Sequence, residues 1–209
     1  ELEDDTSTAT GVSIEQGDST ATISNKLFDN SLKLLRETNR ILDLDAVNSA
    51  AQALLDARQV IFIGTGTSGI SAQYAYTRFF RIGIDCFVQI DPTLYKQKAA
   101  ILDKGDVLFA ISSSGRSSNV VNAARMAHEN GATVTGLCDF AVSPLTKVSD
   151  ILLYTTPRNV GQFLTMEMPL IIGQISVIDL LFACCCVHAG TEAVKIYKQT
   201  KCASDSEKL

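Results

Sequence analysis

Residues 60–69 read VIFIGTGTSG, which is a short apolar strand, a glycine-rich loop and the start of a helix. Residues 107–119 repeat this order as VLFAISSSGRSSN, with a serine-rich loop in place of the glycine-rich one. A strand, a loop and a helix in this order are typical of parallel sheets that helices cover on both faces. The two stretches therefore predict an α/β fold.

The same alternation of strands and helices continues on both sides of these stretches. Helices are predicted up to Ile82 and Asn130, each closed by a glycine, over residues 93–102 and near residues 143–147. We predict a doubly wound, five-stranded parallel sheet in the flavodoxin-like order 2-1-3-4-5, flanked by helices. The predicted strands are residues 60–63, 86–90, 107–111, 133–137 and 151–155.

One domain is predicted between two polar ends. Residues 1–22 are rich in Ser, Thr, Asp and Glu and predict a disordered acidic linker or tail. Residues 23–200 form the predicted domain, which opens with a helix from Ser24 and a second helix capped by Asp45. Residues 201–209 are a predicted polar tail. The apolar run at 169–187 contains Gln174, Ser176 and Asp179, which favours a buried core helix over a membrane span.

Composition and charge exclude several classes of protein. The chain has 209 residues, of which 46% are hydrophobic and 20% charged, as in an ordinary globular domain. Its net charge of -5 comes from the first 20 residues, which hold six acids and no Lys or Arg and leave 18 bases against 17 acids elsewhere. A near-neutral body lacks the basic surface that DNA or RNA binding requires. We expect DNA contact only through a domain outside this chain.

The cysteines predict buried thiols in a reducing cytosol. Six cysteines occur, no two of them form a C-x-x-C pair, and three are consecutive at Cys184–Cys186. We therefore expect no metal site, and we expect no cofactor. The chain does not begin with a basic and then apolar segment, so we predict no signal peptide and a cytoplasmic location.

The first loop, from Gly64 to Gly69, has the pattern G-x-G-x-x-G. Glycines let the backbone approach an anion closely, and the helix that follows supplies unpaired N–H groups with a partial positive charge. Such a loop suits any phosphate. Asp91 ends the second strand and is placed to bond a ribose, so a nicotinamide-dependent oxidoreductase stays open at this point.

The second loop carries more hydroxyl groups than helix capping requires. Ser112, Ser113, Ser114 and Ser117 surround Gly115 and Arg116 at the start of a helix, where one capping serine would suffice. Several hydroxyls and a nest of backbone N–H groups can surround the oxygens of a phosphate monoester. In the predicted strand order the first and third strands are neighbours, so both loops are expected to meet at one crevice.

Together these segments resemble the sugar isomerase (SIS) phosphosugar-binding domain. The resemblance covers residues 46–155 and rests on the G-T-G-T-S and I-S-S-S-G-R-S loops, the strand N-G-A-T-V-T-G-L and the segment S-P-L-T-K-V-S-D-I-L-L. It implies that serine hydroxyls of the two loops hold the phosphate, with Ser113 at a variable position and Gly115 providing the turn. The predicted binding residues are Gly66, Thr67, Ser68, Ser112, Ser113, Ser114, Gly115, Arg116 and Ser117.

Two functions remain open within this resemblance. Many SIS enzymes read S-G-E-T in the second loop, whereas Arg116 stands here in place of the Glu. A phosphosugar aldose–ketose isomerase also needs a base, for which Glu167 is the first candidate, followed by His128 and His188. We expect a sensor, and a phosphosugar isomerase is the alternative.

The order of parts resembles RpiR-type transcriptional regulators. In these, a helix-turn-helix domain precedes two helices, an SIS domain and a long apolar helix, matched here by residues 177–182, VIDLLF. The resemblance implies an effector-sensing and dimerisation domain cut from a longer protein. We expect it to bind a phosphorylated sugar or amino sugar and to form a homodimer or tetramer.

Overall fold

Five short apolar segments form a parallel sheet. They are β1 (Val60–Gly64), β2 (Cys86–Gln89), β3 (Val107–Ile111), β4 (Thr133–Asp139) and β5 (Ile151–Thr155). The observed order β2-β1-β3-β4-β5 confirms the predicted topology. The computed structural model describes residues 14–157, 162–163, 166–167 and 171–205. A short antiparallel pair, β6 (Gln162–Phe163) and β7 (Met166–Glu167), follows the sheet.

Helices cover both faces of this sheet. Successive side chains of a strand point to opposite faces, so each strand contributes to two cores. In β1, Phe62 packs towards α2, α3 and α6, whereas Ile63 packs towards α4 and α5. The described part of the chain has six α-helices, which are α1 (Thr20–Ile41), α2 (Leu44–Asp56), α3 (Thr67–Phe79), α4 (Tyr95–Ala99), α5 (Ser118–Glu129) and α6 (Ile172–Asp205).

Helix α6 is bent at Gly190. This glycine has φ 60° and ψ -131°, a conformation outside the helical region. Beyond the bend, the helix lies against a 3₁₀ turn at Phe80–Ile82, where the Arg81 guanidinium is 4.6 Å from the centre of the Tyr197 ring. The Thr200 hydroxyl also donates to the Arg81 carbonyl at 3.4 Å. The bend therefore brings the end of α6 back onto the domain.

The first half of α6 is a core helix, as predicted. Val177, Ile178, Leu181 and Cys185 are buried in the core on its side of the sheet. Within the described residues α6 is the one helix long and apolar enough to cross a membrane by length and composition, and a third of its apolar window is buried in the domain. Packing within the domain accounts for this buried part of the apolar content.

Several predicted boundaries were wrong by a few residues. Helix α1 begins at Thr20, because Ser19 caps it by accepting from Thr22 N at 3.1 Å. Asp43, not Asp45, caps α2 and accepts from Asp45 N at 2.9 Å. The helix predicted over 93–102 is a 3₁₀ turn at Pro92–Leu94 followed by the single short helix α4.

The prediction of a helix near residues 143–147 was also wrong, because this segment is a turn. Ser143 N donates to Thr146 Oγ1 at 3.1 Å, and Thr146 Oγ1 donates to the Ser143 carbonyl at 2.9 Å. Side-chain hydroxyls thus bond to backbone groups that would bond to other backbone groups in a helix.

Helices α1 and α6 extend into the described parts of the two polar ends. Ile14 is buried, and Asp18 pairs with Lys26 of α1 at 2.7 Å. Helix α6 extends to Asp205, into the predicted polar tail. Residues 1–13 and 206–209 lie outside the described residues.

Candidate functional site

The first loop is a tight turn that requires glycine. A Cβ at Gly64 would lie 2.4 Å from the carbonyl oxygen of Ser68, and one at Gly69 would lie 2.8 Å from that of Gly64. Gly66 has φ 60° and is the N-cap of α3, where no side chain accepts from the first N–H groups of the helix. The first turn of α3 therefore presents backbone donors at the crevice.

The second loop forms a similar turn at the start of α5. Gly115 has φ 61°, and a Cβ there would lie 2.1 Å from Ser143 Oγ. Ser117 is the N-cap of α5 but makes no side-chain capping bond, and its Oγ accepts from Ser112 Oγ at 3.3 Å instead. The first turn of α5 is thus also left without a side-chain cap.

The sheet places these two loops side by side. Strands β1 and β3 are neighbours, and Gly64 is paired in register with Ile111. The loops begin at these residues, so both start at the carboxyl edge of the sheet, where ligands of open α/β sheets bind. The predicted convergence of the two loops is confirmed.

The predicted binding residues differ in their exposure. Ser68 and Ser112 are buried, Thr67, Ser113 and Ser117 are half-buried, and Ser114 and Arg116 are exposed. Ser114 Oγ accepts from Arg116 N at 3.2 Å, which orders the exposed end of the second loop. The buried hydroxyls line the base of the crevice and the exposed residues form its rim.

Gln174 of α6 joins the two loops and was not predicted as a site residue. Its Nε2 donates to Ser113 Oγ at 2.9 Å and to Ser68 Oγ at 3.3 Å. Its Oε1 accepts from Ser71 Oγ of α3 at 2.7 Å. An amide within a long apolar run was the signal in the sequence, but nothing local showed what it would contact.

Tyr95 supports the first loop from below. Its buried hydroxyl donates to the carbonyl of Gly64 at 2.5 Å, and burial is the main cause that raises its pKa. This residue was also missed, because a tyrosine in a short helix carries no sign of such a contact.

A small polar cavity lies behind the second loop. Its volume is about 10 Å³, the room for one water molecule. The hydroxyl of Thr155 donates to Asp139 Oδ1 at 2.8 Å in its wall. The cavity is lined by Leu34, Ser113, Asp139, Thr155, Thr156, Gly173 and Gln174.

The two candidate histidines lie away from the crevice. His128 lies in the last turn of α5, away from the loop, with its Nδ1 3.1 Å from Asp150 Oδ1. His188 is exposed on α6 near the bend. The backbone of Glu167 lies in β7, but its side chain is outside the described part of the chain.

Asp91 caps a turn in this structure. Its Oδ1 accepts from Thr93 N at 2.9 Å and from Thr93 Oγ1 at 2.8 Å, and these two bonds lower its pKa. This carboxylate therefore has a local structural role as the cap of a turn, which the nicotinamide interpretation did not consider.

The cysteines are held as neutral thiols where they are buried. Burial is the main cause that raises the pKa of Cys86, Cys138 and Cys185 to about 12 in each case. Within the described residues no group of three or more His, Cys, Asp or Glu side chains is placed to hold a metal ion.

Comparison with known families decides the assignment. A family model for the SIS domain matches residues 53–183, which include both loops and the first part of α6. The chain belongs to the SIS-domain family. The predicted resemblance is confirmed. The match includes the second loop, which a nicotinamide site would not need.

The SIS domain found here is similar to those of transcriptional regulators. An HTH-type transcriptional regulator of Caldanaerobacter subterraneus is 32% identical over 187 residues, which are 90% of this chain and 66% of that protein. The chain spans about two thirds or less of the length of the curated relatives that it matches. These relatives are HTH-type regulators, including ones named HexR and RpiR.

Solved structures show the same fold for this SIS domain. NanR of Vibrio vulnificus, complexed with ManNAc-6P, superposes with a TM-score of 0.82 at 23% identity, over 93% of this chain and 71% of that one. The sugar isomerase domain of an RpiR transcription factor from Sphaerobacter thermophilus superposes with a TM-score of 0.78 at 24% identity, over 86% and 98%.

Proposed function

We propose that this SIS domain is the effector-sensing and dimerisation domain of an RpiR-type transcriptional regulator in the cytoplasm. Its effector is a phosphorylated sugar or amino sugar, and DNA binding belongs to a helix-turn-helix domain outside this chain. The regulators among its relatives and the sugar-phosphate complex of a structural neighbour support this proposal.

One observation carries the proposal of a phosphate ligand. The first turns of α3 and α5 both lack a side-chain cap and start from neighbouring strands. Unpaired N–H groups at two helix ends favour an anion, and hydroxyl donors around them suit the oxygens of a phosphate monoester. The binding residues are those predicted on the two loops, from Gly66 to Ser68 and from Ser112 to Ser117.

Arg116 extends this site towards the rest of the ligand. It is exposed at the rim of the second loop, and its guanidinium can form bidentate bonds with a phosphate or a sugar acid. The sugar hydroxyls contact neighbouring side chains at the same rim.

Signal transfer requires that ligand binding favour one arrangement of two subunits. The exposed apolar residues Phe28 and Leu32 of α1 and Val187 and Val194 of α6 give the domain surfaces for a homodimer or tetramer. A ligand with different affinities for two arrangements shifts their populations, and attached DNA-binding domains move with the subunits.

The deciding experiment is proton NMR of the purified chain with hexose, pentose and amino-sugar phosphates, followed for hours. We expect line broadening of one ligand and no new product peaks. Appearance of an isomeric sugar phosphate at an enzymatic rate would replace the sensor with a phosphosugar isomerase. Binding of no sugar phosphate would contradict both functions.

A further inference from the structure

Gln174 is a buried polar side chain in the first turn of α6, a helix whose first half is otherwise mostly apolar. It is 3% exposed, and its neighbour Gly173 lies so close to α1 that a Cβ would stand 2.9 Å from Leu34 Cδ2. A buried amide costs free energy unless its donors and its acceptor are bonded. Gln174 meets this requirement entirely with serine hydroxyls.

These three hydrogen bonds join parts of the chain that are far apart in sequence. Ser68 follows β1, Ser113 follows β3, and Gln174 is 106 and 61 residues away from them, respectively. Ser71, which is fully buried, anchors the amide oxygen to α3. Gln174 thus reaches a serine of each loop from a helix that belongs to neither loop.

The direction of these bonds matters for a ligand. The amide has two N–H donors, and both are directed to serine oxygens. A serine oxygen that accepts from the amide does not use its own proton in that bond. The arrangement thus favours serine hydroxyls that donate, as a phosphate needs.

We propose that Gln174 is a positioning residue that clamps the two loops to each other and to α6, so that their donors face one phosphate. This inference rests on the proposed function. It also makes α6 the element that senses loop occupancy, because any change at Ser68 or Ser113 reaches the helix through one amide. Further along α6, Asp179 accepts from Tyr74 and Arg78 of α3. Hydrogen bonds of Gln174 and of Asp179 therefore both join α6 to α3, the helix that follows the first loop.

Two variants separate the clamp from simple filling of space. Gln174→Met keeps the length of the side chain but removes all three hydrogen bonds. Gln174→Glu keeps an acceptor for Ser71 and removes both donors. The matched control is Cys185→Ala, because Cys185 is fully buried on the same helix and its thiol bonds Ala51 O rather than a loop.

The first measurement uses the unliganded chain. In a labelled sample, nuclear Overhauser effects are expected between the side-chain amide protons of Gln174 and the β protons of Ser68 and Ser113. Their absence would overturn the inference whatever the chain binds.

The second measurement is the affinity for inorganic phosphate and for the sugar phosphate that the unmodified chain binds, by calorimetry, with the thermal midpoint recorded for each variant. Gln174→Met is expected to bind both probes about tenfold more weakly, the equivalent of one hydrogen bond. Gln174→Glu should bind more weakly still, since its carboxylate repels the phosphate. Cys185→Ala should lose stability but keep its affinity.

Two further results would overturn the inference in distinguishable ways. If Gln174→Met loses stability and binds both probes like the unmodified chain, Gln174 is a structural contact only. If the unmodified chain shows the Overhauser effects but binds neither probe, the proposed function fails and Gln174 is again structural.

Discussion

Gly64, Gly66 and Gly115 shape the two loops for different physical reasons. Gly64 has no room for a Cβ, because backbone atoms of Ser68 stand in its place. Gly66 has open space, but its positive φ excludes other residues on conformational grounds. Both reasons apply to Gly115, since its φ is positive and the side chain of Ser143 packs against it. These residues make the crevice that the serines line.

Gly64→Ala is expected to destabilise the domain by about 1–3 kcal/mol, the usual cost of overpacking. The added Cβ would lie 2.4 Å from a carbonyl oxygen, which cannot move aside as a flexible side chain would. Urea unfolding measures the effect. Gly17→Ala is the control, because nothing lies within 4 Å of its added Cβ. Equal stability of the two variants would contradict the steric argument.

Ser114→Ala is expected to weaken sugar-phosphate binding by about 1.5–3 kcal/mol, the range for a hydrogen bond to a charged group. Ser114 is exposed at the rim, so the loss should appear in affinity and hardly in stability. Titration calorimetry measures it, with Ser49→Ala on α2 as the control. An unchanged affinity would mean that the phosphate lies elsewhere.

Helix α6 shows how one element can serve the core, the site and the outer surface. Its first half packs against α2 and α3 and carries Gln174 to the loops. The bend at Gly190 then directs the second half onto the 3₁₀ turn that ends at Ile82. A straight helix would carry residues such as Tyr197 away from the domain.

Gly190→Ala isolates the energetic cost of this bend. Nothing lies within 4 Å of the added Cβ, so the change adds backbone strain without a clash. We expect a loss of about 1–3 kcal/mol, as for other residues held in sparsely populated conformations. Urea unfolding measures it against Val187→Ala, an exposed position one turn earlier. A loss no larger than that of the control would show that the bend carries no strain.

The molecule as a whole buries three thiols in the two cores that flank the sheet. Cys86 and Cys185 lie on one side and Cys138 on the other. Their pKa is raised to about 12, from an ordinary value of 9.0, mainly by burial. Above pH 9 the unfolded chain therefore loses protons that the folded chain retains, and stability falls as the pH rises towards 12.

At alkaline pH the free energy of unfolding is expected to fall by up to about 1.4 kcal/mol per pH unit for each buried thiol. Urea unfolding at pH 8 and pH 10 measures the slope for the whole domain. Cys138→Ala should reduce this slope, whereas Cys202→Ala should leave it unchanged because Cys202 is exposed. If both variants kept the full slope, other groups would be responsible for it.

The sequence by itself determined the sheet, its strand order and the two loops. The five strands are local apolar runs, and Gly83 and Gly131 end their helices with the positive φ that glycine favours. The loops were predictable because each directly follows a strand and opens a helix. Local patterns also misled, as at Asp45 and at residues 143–147, where hydroxyl and carboxylate side chains compete for backbone groups.

Only the tertiary structure decided which side chains hold the two loops in place. Gln174 and Tyr95 reach the loops from elements that are 31 to 106 residues away in sequence, and neither carries a local signal of its partner. The turn at Ser143 packs against Gly115 for the same reason, since β4 places its carboxyl end beside that of β3. Contacts of this kind depend on how side chains of distant elements pack in three dimensions, which spacing along a single chain does not encode.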